Sequence, residues 1–181
     1  HNLFMRKKPN TVGGGSKTNL NGLSFEGRTD LLESLQNNPA FRVSGHEVYQ
    51  KDKLIGEYFE KYGFYNLFLK KNNIDWKKIN SKQYLPDSIF YNHSNQTIYV
   101  IEKKYQAGSG SVDEKLQTCN FKKKVYKELI EPIGLKTEYY YLLNDWFDQD
   151  VYRDVFEYIE EVGCKYFIDF IPLNELGLSD E

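Results

Sequence analysis

Two carboxylates and a lysine fall within two short segments in the middle of the chain. Asp87 lies in Leu85-Pro86-Asp87-Ser88-Ile89-Phe90-Tyr91, and Glu102 and Lys104 lie in Thr97-Ile98-Tyr99-Val100-Ile101-Glu102-Lys103-Lys104. Both segments are rich in β-branched and aromatic residues, and Asn92, His93, Ser94 and Asn95 between them read as a turn. The pair therefore predicts a β-hairpin. Side chains alternate along a strand, so Glu102 and Lys104 share one face and Lys103 takes the other. Asp87 opens the partner strand. Acidic oxygens and an ammonium gathered at one hairpin end suit one kind of chemistry. They can hold Mg²⁺ against a phosphate and position a water for attack.

The Pro86-Asp87 … Glu102-Lys103-Lys104 pattern resembles the PD-(D/E)XK nuclease superfamily. The Asp follows a proline at a strand start, the Glu-x-Lys sits inside an apolar strand, and Gln106 follows at the same period of two. The resemblance implies a restriction-endonuclease-like α/β core, a mixed β-sheet of a hairpin plus parallel strands flanked by helices. It also implies a Mg²⁺-dependent DNA endonuclease. Asp87, Glu102 and the backbone carbonyl of Lys103 would hold the metal, Lys104 would orient the water or stabilise the phosphate, and Gln106 would support them. Glu26 matches the glutamate that many restriction-type members carry on the first helix. In Gly110-Ser111-Val112-Asp113-Glu114-Lys115, Ser111, Glu114 and Lys115 match a loop that touches DNA in type II restriction enzymes. Double-stranded DNA and a homodimer are the partners so implied. A junction resolvase or repair nuclease, and a non-catalytic DNA-binding domain, stand as alternatives.

The rest of the chain must position those groups. Its 181 residues suit one domain, and aromatics at 16%, with 15 Tyr and 12 Phe, supply a core without help from disulfides. Cys119 and Cys164 have neither metal-ligand nor redox spacing, which fits reduced thiols in a cytoplasmic protein. No run approaches the ~20 apolar residues of a membrane span. The formal net charge of −2 does not advertise nucleic-acid binding. Lysines nevertheless cluster at 70–82 and 115–127, while residues 145–161 are acidic, which gives a bipolar surface.

Residues 1–17, with Gly13-Gly14-Gly15, read as a flexible arm before a single domain over 18–181; the glycines lack the P-loop pattern. Thr18 to Gln36 reads as a helix on a stripe of Leu20, Leu23, Leu31 and Leu35, ended by Asn37-Asn38-Pro39. Phe41 to Gln50 predicts a strand or hairpin, and Phe64 to Lys71 a helix. Ser111 with Glu114 reads as a capping box opening a helix from Val112 to Glu131, whose N-terminus could meet a phosphate. Thr137 to Leu143 predicts a parallel strand, Val151 to Val162 a helix closed by Gly163, and Tyr166 to Ile171 a last strand.

Overall fold

The computed structural model describes residues 22–25 and 30–181. Its centre is a seven-stranded mixed sheet. Strands β2 (Arg42–Ser44), β3 (Glu47–Gln50), β4 (Lys53–Phe59), β5 (Ser88–Asn92) and β6 (Thr97–Lys104) run as an antiparallel meander. Strands β7 (Lys136–Leu143) and β8 (Lys165–Ile168) continue the sheet parallel to β6. Helices flank it, so the chain is α/β with a mixed sheet. The expected hairpin forms with Asn92 opposite Thr97, and Asp87 immediately precedes β5.

Strands β6 and β7 read as unbroken apolar runs because they are buried on both faces, as central strands next to parallel neighbours are. Ile98, Val100, Tyr139 and Tyr141 face one core, and Tyr99, Ile101, Tyr140 and Leu142 face the other. The first core is covered by α3 (Cys119–Ile130), which buries Cys119, Val125, Tyr126, Leu129 and Ile130. Phe64–Leu69 also covers it and winds as a π-helix burying Phe64, Tyr65, Phe68 and Leu69. Helix α4 (Arg153–Glu161) completes that side with Phe156 and Ile159. Cys119 and Cys164 meet in this core as hydrogen-bonded, unbridged thiols. The second core is covered by α1 (Leu31–Asn37) and by a two-stranded ribbon of β1 (Gly22–Ser24) and β9 (Phe170–Pro172).

Four expectations need correction. The helix expected over 18–36 begins only at Leu31, where the Asp30 side chain accepts the Glu33 N–H at 2.8 Å. Gly22–Ser24 is instead extended against β9. A Cβ on Gly22 would lie 2.1 Å from the Ile171 carbonyl, so only glycine permits that approach. Residues 18–21 and 26–29 lie outside the described residues. The helix expected over 112–131 is broken into α2 (Val112–Leu116) and α3. At the break the Lys115 carbonyl takes both the Thr118 N–H at 3.4 Å and the Thr118 hydroxyl at 2.8 Å, a tightened turn in place of a continued α-helix. The capping box does not form. The Ser111 side chain caps nothing, and the Glu114 N–H goes to the Ser111 backbone carbonyl at 3.1 Å. Finally, the last strand divides at Asp169, whose φ of 66° turns the chain out of the main sheet.

Candidate functional site

The end of β6 and the entry to β5 bring Asp87 and Glu102 together on the face that carries Ile89 and Val100. Asp87 sits where it does because three groups bind it. The Lys103 N–H donates to its Oδ2 at 3.0 Å, Lys61 Nζ lies 2.6 Å from its Oδ1, and Glu102 shares a hydrogen bond with it. Burial works to raise the Asp87 pKa, but Lys61, Glu102 and the Lys103 N–H outweigh it, and the net shift is downward. Lys61 is itself held. It takes a left-handed φ of 47°, unusual for a residue with a Cβ, and its N–H donates to the Pro86 carbonyl at 3.0 Å.

Glu102 is only 6% exposed. Burial, then the Asp87 charge and their shared hydrogen bond, push its pKa up to about 7, against the pull of Lys122 and Lys104. Its surroundings explain the burial. Tyr141 is its neighbour on β7, and Tyr126 and Tyr139 pack in the same core. Two carboxyls thus share a site in which both ionise only at a cost.

Lys104 Nζ lies 3.9 Å from Glu102 Oε2 on the same face, as strand alternation requires. The Lys103 side chain points to the other face, where Asp30 and Glu33 of the α1 end are among its charged neighbours. Its backbone serves the site. Its N–H turns toward Asp87, and N–H and C=O of one strand residue leave on the same side.

Two further lysines join the group. Lys61 arrives from the turn after β4 and Lys122 from the first turn of α3, where burial lowers its pKa while Glu102 and Asp87 raise it. Sequence reasoning singled out neither. Lys61 is separated from Asp87 by 26 residues and belongs to no motif. Lys122 lies in a lysine run whose other members do different things. Lys123 donates to the Gly163 carbonyl at 2.7 Å, and Lys124 pairs with Glu128 at 3.3 Å on the surface. The helical spacing of the buried Cys119, Tyr126 and Ile130 puts Lys122 on the face turned toward the sheet.

The remaining expected residues are placed apart from this group or differently. Gln106 is buried, with its Nε2 donating to the Gly108 carbonyl at 2.7 Å. Its backbone is clamped by Asn144, which accepts the Gln106 N–H at 3.0 Å and donates to its carbonyl at 2.6 Å. This amide pairing extends the β6–β7 ladder one step past Lys104 and fixes the strand end that carries the site. Asn144 gave no signal in the sequence beyond its place after a strand. Ser111, Glu114 and Lys115 stand exposed at the start of α2, which at five residues is too short to focus a helix dipole. Glu26 lies outside the described residues.

A second charged cluster is separate from the first. Glu57 on β4, 5% exposed, is met by the His93 ring at 3.0 Å, the His46 ring at 3.5 Å and the Lys71 ammonium at 3.8 Å. It ties the β2–β3 turn and the β5–β6 turn to the helical segment behind Phe68.

No family model, curated protein or solved structure matches the chain significantly. Among the described residues no three metal-ligating side chains converge, and no helix is long and apolar enough to cross a membrane.

The raised Glu102 pKa has a measurable result in the metal-free protein. A carboxyl with a folded pKa above its unfolded value stabilises the fold while protonated and loses that contribution as pH rises. In a chelating buffer, stability is expected to fall between the ordinary value of 4.5 and about 7. The loss is on the order of 3 kcal/mol at most, because Asp87 is coupled to the same proton. Glu102→Gln should flatten this slope in urea melts taken across that range. The lowered Asp87 pKa acts the opposite way and only in stronger acid.

Proposed function

We propose that the chain is a Mg²⁺-dependent DNA endonuclease on a restriction-endonuclease-like core, hydrolysing phosphodiester bonds. The observation that carries this reading is the pairing of half-buried Asp87 with buried Glu102 at adjacent strand ends, ringed by Lys61, Lys104 and Lys122. A non-catalytic DNA-binding domain would have no use for two coupled acids at the centre of its lysines, where they repel phosphate.

The donor set fits the ion. It consists of hard oxygens only, and two carboxyls forced to share a proton are relieved by a divalent cation. Mg²⁺ takes few protein carboxylates and keeps several waters, so Asp87, Glu102 and the Lys103 carbonyl suffice as its protein ligands. When bound, Mg²⁺ would act as a Lewis acid on the phosphate and lower the pKa of water. The protein's own groups do the rest. The Lys103 N–H fixes the Asp87 carboxylate. Asn144 holds the end of β6 in register. Lys104 places a positive charge beside Glu102, where it can orient the attacking water and offset charge growing on the phosphoryl oxygens. Lys61 and Lys122 add cationic field and draw the phosphate backbone toward the acids.

Site-specific cleavage of double-stranded DNA by a homodimer, as in type II restriction enzymes, is the first form of this activity. Resolution or repair of branched DNA is the second. It is favoured by the aromatic side chains that stand exposed beside the site lysines. Incubation of supercoiled plasmid and of a synthetic four-way junction with Mg²⁺ separates the outcomes. Discrete plasmid bands are expected for the restriction type, and cutting confined to the junction for the second form. No cutting with Mg²⁺ or Mn²⁺ would sink both.

A further inference from the structure

Five large apolar side chains among the described residues are exposed: Tyr62, Leu67, Tyr105, Phe121 and Val151. Isolated exposed rings are ordinary. Two of the five, Tyr62 and Phe121, adjoin lysines that surround Asp87 and Glu102. Tyr62, 55% exposed, follows Lys61, whose amine lies 2.6 Å from Asp87. Phe121, 51% exposed, precedes Lys122, whose half-buried amine interacts with both acids. Successive Cα atoms are ~3.8 Å apart, so each ring starts one residue from a cation of the site.

The rings are also braced. Tyr84 meets Phe121 edge-on at 5.6 Å, and Lys82 Nζ stands 5.0 Å over the Tyr84 ring. The Tyr84 carbonyl is fixed in turn by the hydroxyls of Tyr65 at 2.7 Å and Tyr126 at 3.0 Å. The surface so made joins the segment just before β5 to the first turn of α3 and to the turn after β4, whose Lys61 N–H donates to the Pro86 carbonyl at 3.0 Å.

Alternating rings and ammonium groups match one class of polymer. Bases of a single strand can stack on the rings while its phosphates meet the lysines. An intact duplex keeps its bases inside the stack and would leave the rings uncovered. A protein partner would cover the rings but would have no matching use for Lys61, Lys82, Lys104 and Lys122 around them. We propose that this rim of Tyr62, Tyr84 and Phe121, interleaved with lysines, binds single-stranded DNA, so that unpaired nucleotides flank the phosphate brought to Asp87 and Glu102. The proposal rests on the nuclease reading of that pair and names its substrate class.

Fluorescence anisotropy with one labelled oligonucleotide, as a single strand and as a blunt duplex, tests it in chelating buffer and in Ca²⁺. Parallel reactions in Mg²⁺ follow cleavage of the same two substrates. The single strand is expected to bind about tenfold more tightly than the duplex. Tyr62→Ala and Phe121→Ala should each weaken single-strand binding roughly tenfold, the stacking contribution of about one base, and leave the duplex unchanged. Phe121→Trp should retain binding, and because these side chains are exposed the variants should keep the wild-type Tm. Equal affinity for the two forms, or unchanged binding by both alanine variants, overturns the proposal. If the preference and its loss are seen but nothing is cut, the surface stands and the nuclease reading fails. If intact duplex is cut with no such preference, the nuclease stands and the surface fails.

Discussion

Glu102→Gln and Asp87→Asn are each expected to abolish DNA cleavage, with at least the ~10²–10³-fold loss typical of removing one electrostatic group from a transition state. The two variants should part company in stability, and that contrast separates a functional role from a structural one. Glu102 is buried beside another acid and ionises only against resistance, with its pKa pushed up to about 7. Glutamine keeps its shape and removes the charge, so the metal-free protein should become more stable above neutral pH while activity disappears. Activity sacrificed for stability marks a group retained for function. Asp87→Asn has the opposite expectation. Asp87 accepts from Lys61 and from the Lys103 N–H, and an amide leaves Lys61 without its counter-charge. Stability should drop by about 1–3 kcal/mol. DNA binding without Mg²⁺ should hold or tighten in both variants, because one negative charge facing phosphate is gone. Gel-based cleavage rates, urea melts and anisotropy on the same preparations check all three. Near wild-type cleavage by either variant would end the assignment of this site.

What the sequence conveyed about this site depended on how far apart the cooperating residues lie. The hairpin of β5 and β6 was legible because period two, β-branched residues and a turn of Asn and Ser all lie within one short stretch. Glu102 and Lys104 followed from alternation alone. The parallel strand β7 was legible as an unbroken apolar run. Strand β4 was not: Gly56 and Glu57 interrupt its apolar run. The turn before it, Lys51-Asp52, places both residues at positive φ without the usual glycine. Gly56 is required there for contact, since a Cβ would come within 2.5 Å of the Phe90 ring, a distance set by a strand 34 positions away in the chain. Missing β4 meant missing Lys61, which the end of that strand delivers to Asp87. Lys122 was hidden for a related reason. The break at Thr118 sets the phase of α3, and a continuous helix from Val112 would have aimed the lysine run differently. The first helix was overextended because Leu20 and Leu23 fit its period, although Gly22 and Leu23 pair with β9 instead.

Lys104→Ala is expected to lose cleavage by a factor similar to the carboxylate variants, whereas Lys103→Ala should keep most of it. The two lysines are adjacent and chemically identical, so only their faces distinguish them. Lys104 is in register with Leu143 and shares its face with Glu102, with its amine 3.9 Å away. Lys103 points toward the α1 side, where Asp30 and Glu33 are among its charged neighbours. What Lys103 gives the site is its N–H on Asp87, and alanine retains a backbone N–H. The cost of Lys103→Ala should therefore appear in stability, at about 1 kcal/mol from its half-buried stem and charge contacts. Lys104→Arg offers a finer test. A guanidinium keeps the charge but replaces a compact ammonium with a planar fork, so partial activity is expected with unchanged DNA affinity. Single-turnover rates at saturating DNA report the chemical step apart from binding. A one-residue slip of β6 would exchange the faces of every side chain on it and turn Glu102 away from Asp87 together with Lys104. Loss of cleavage in Lys103→Ala, with Lys104→Ala active, would show that slip and would break the Asp87–Glu102 pairing with it.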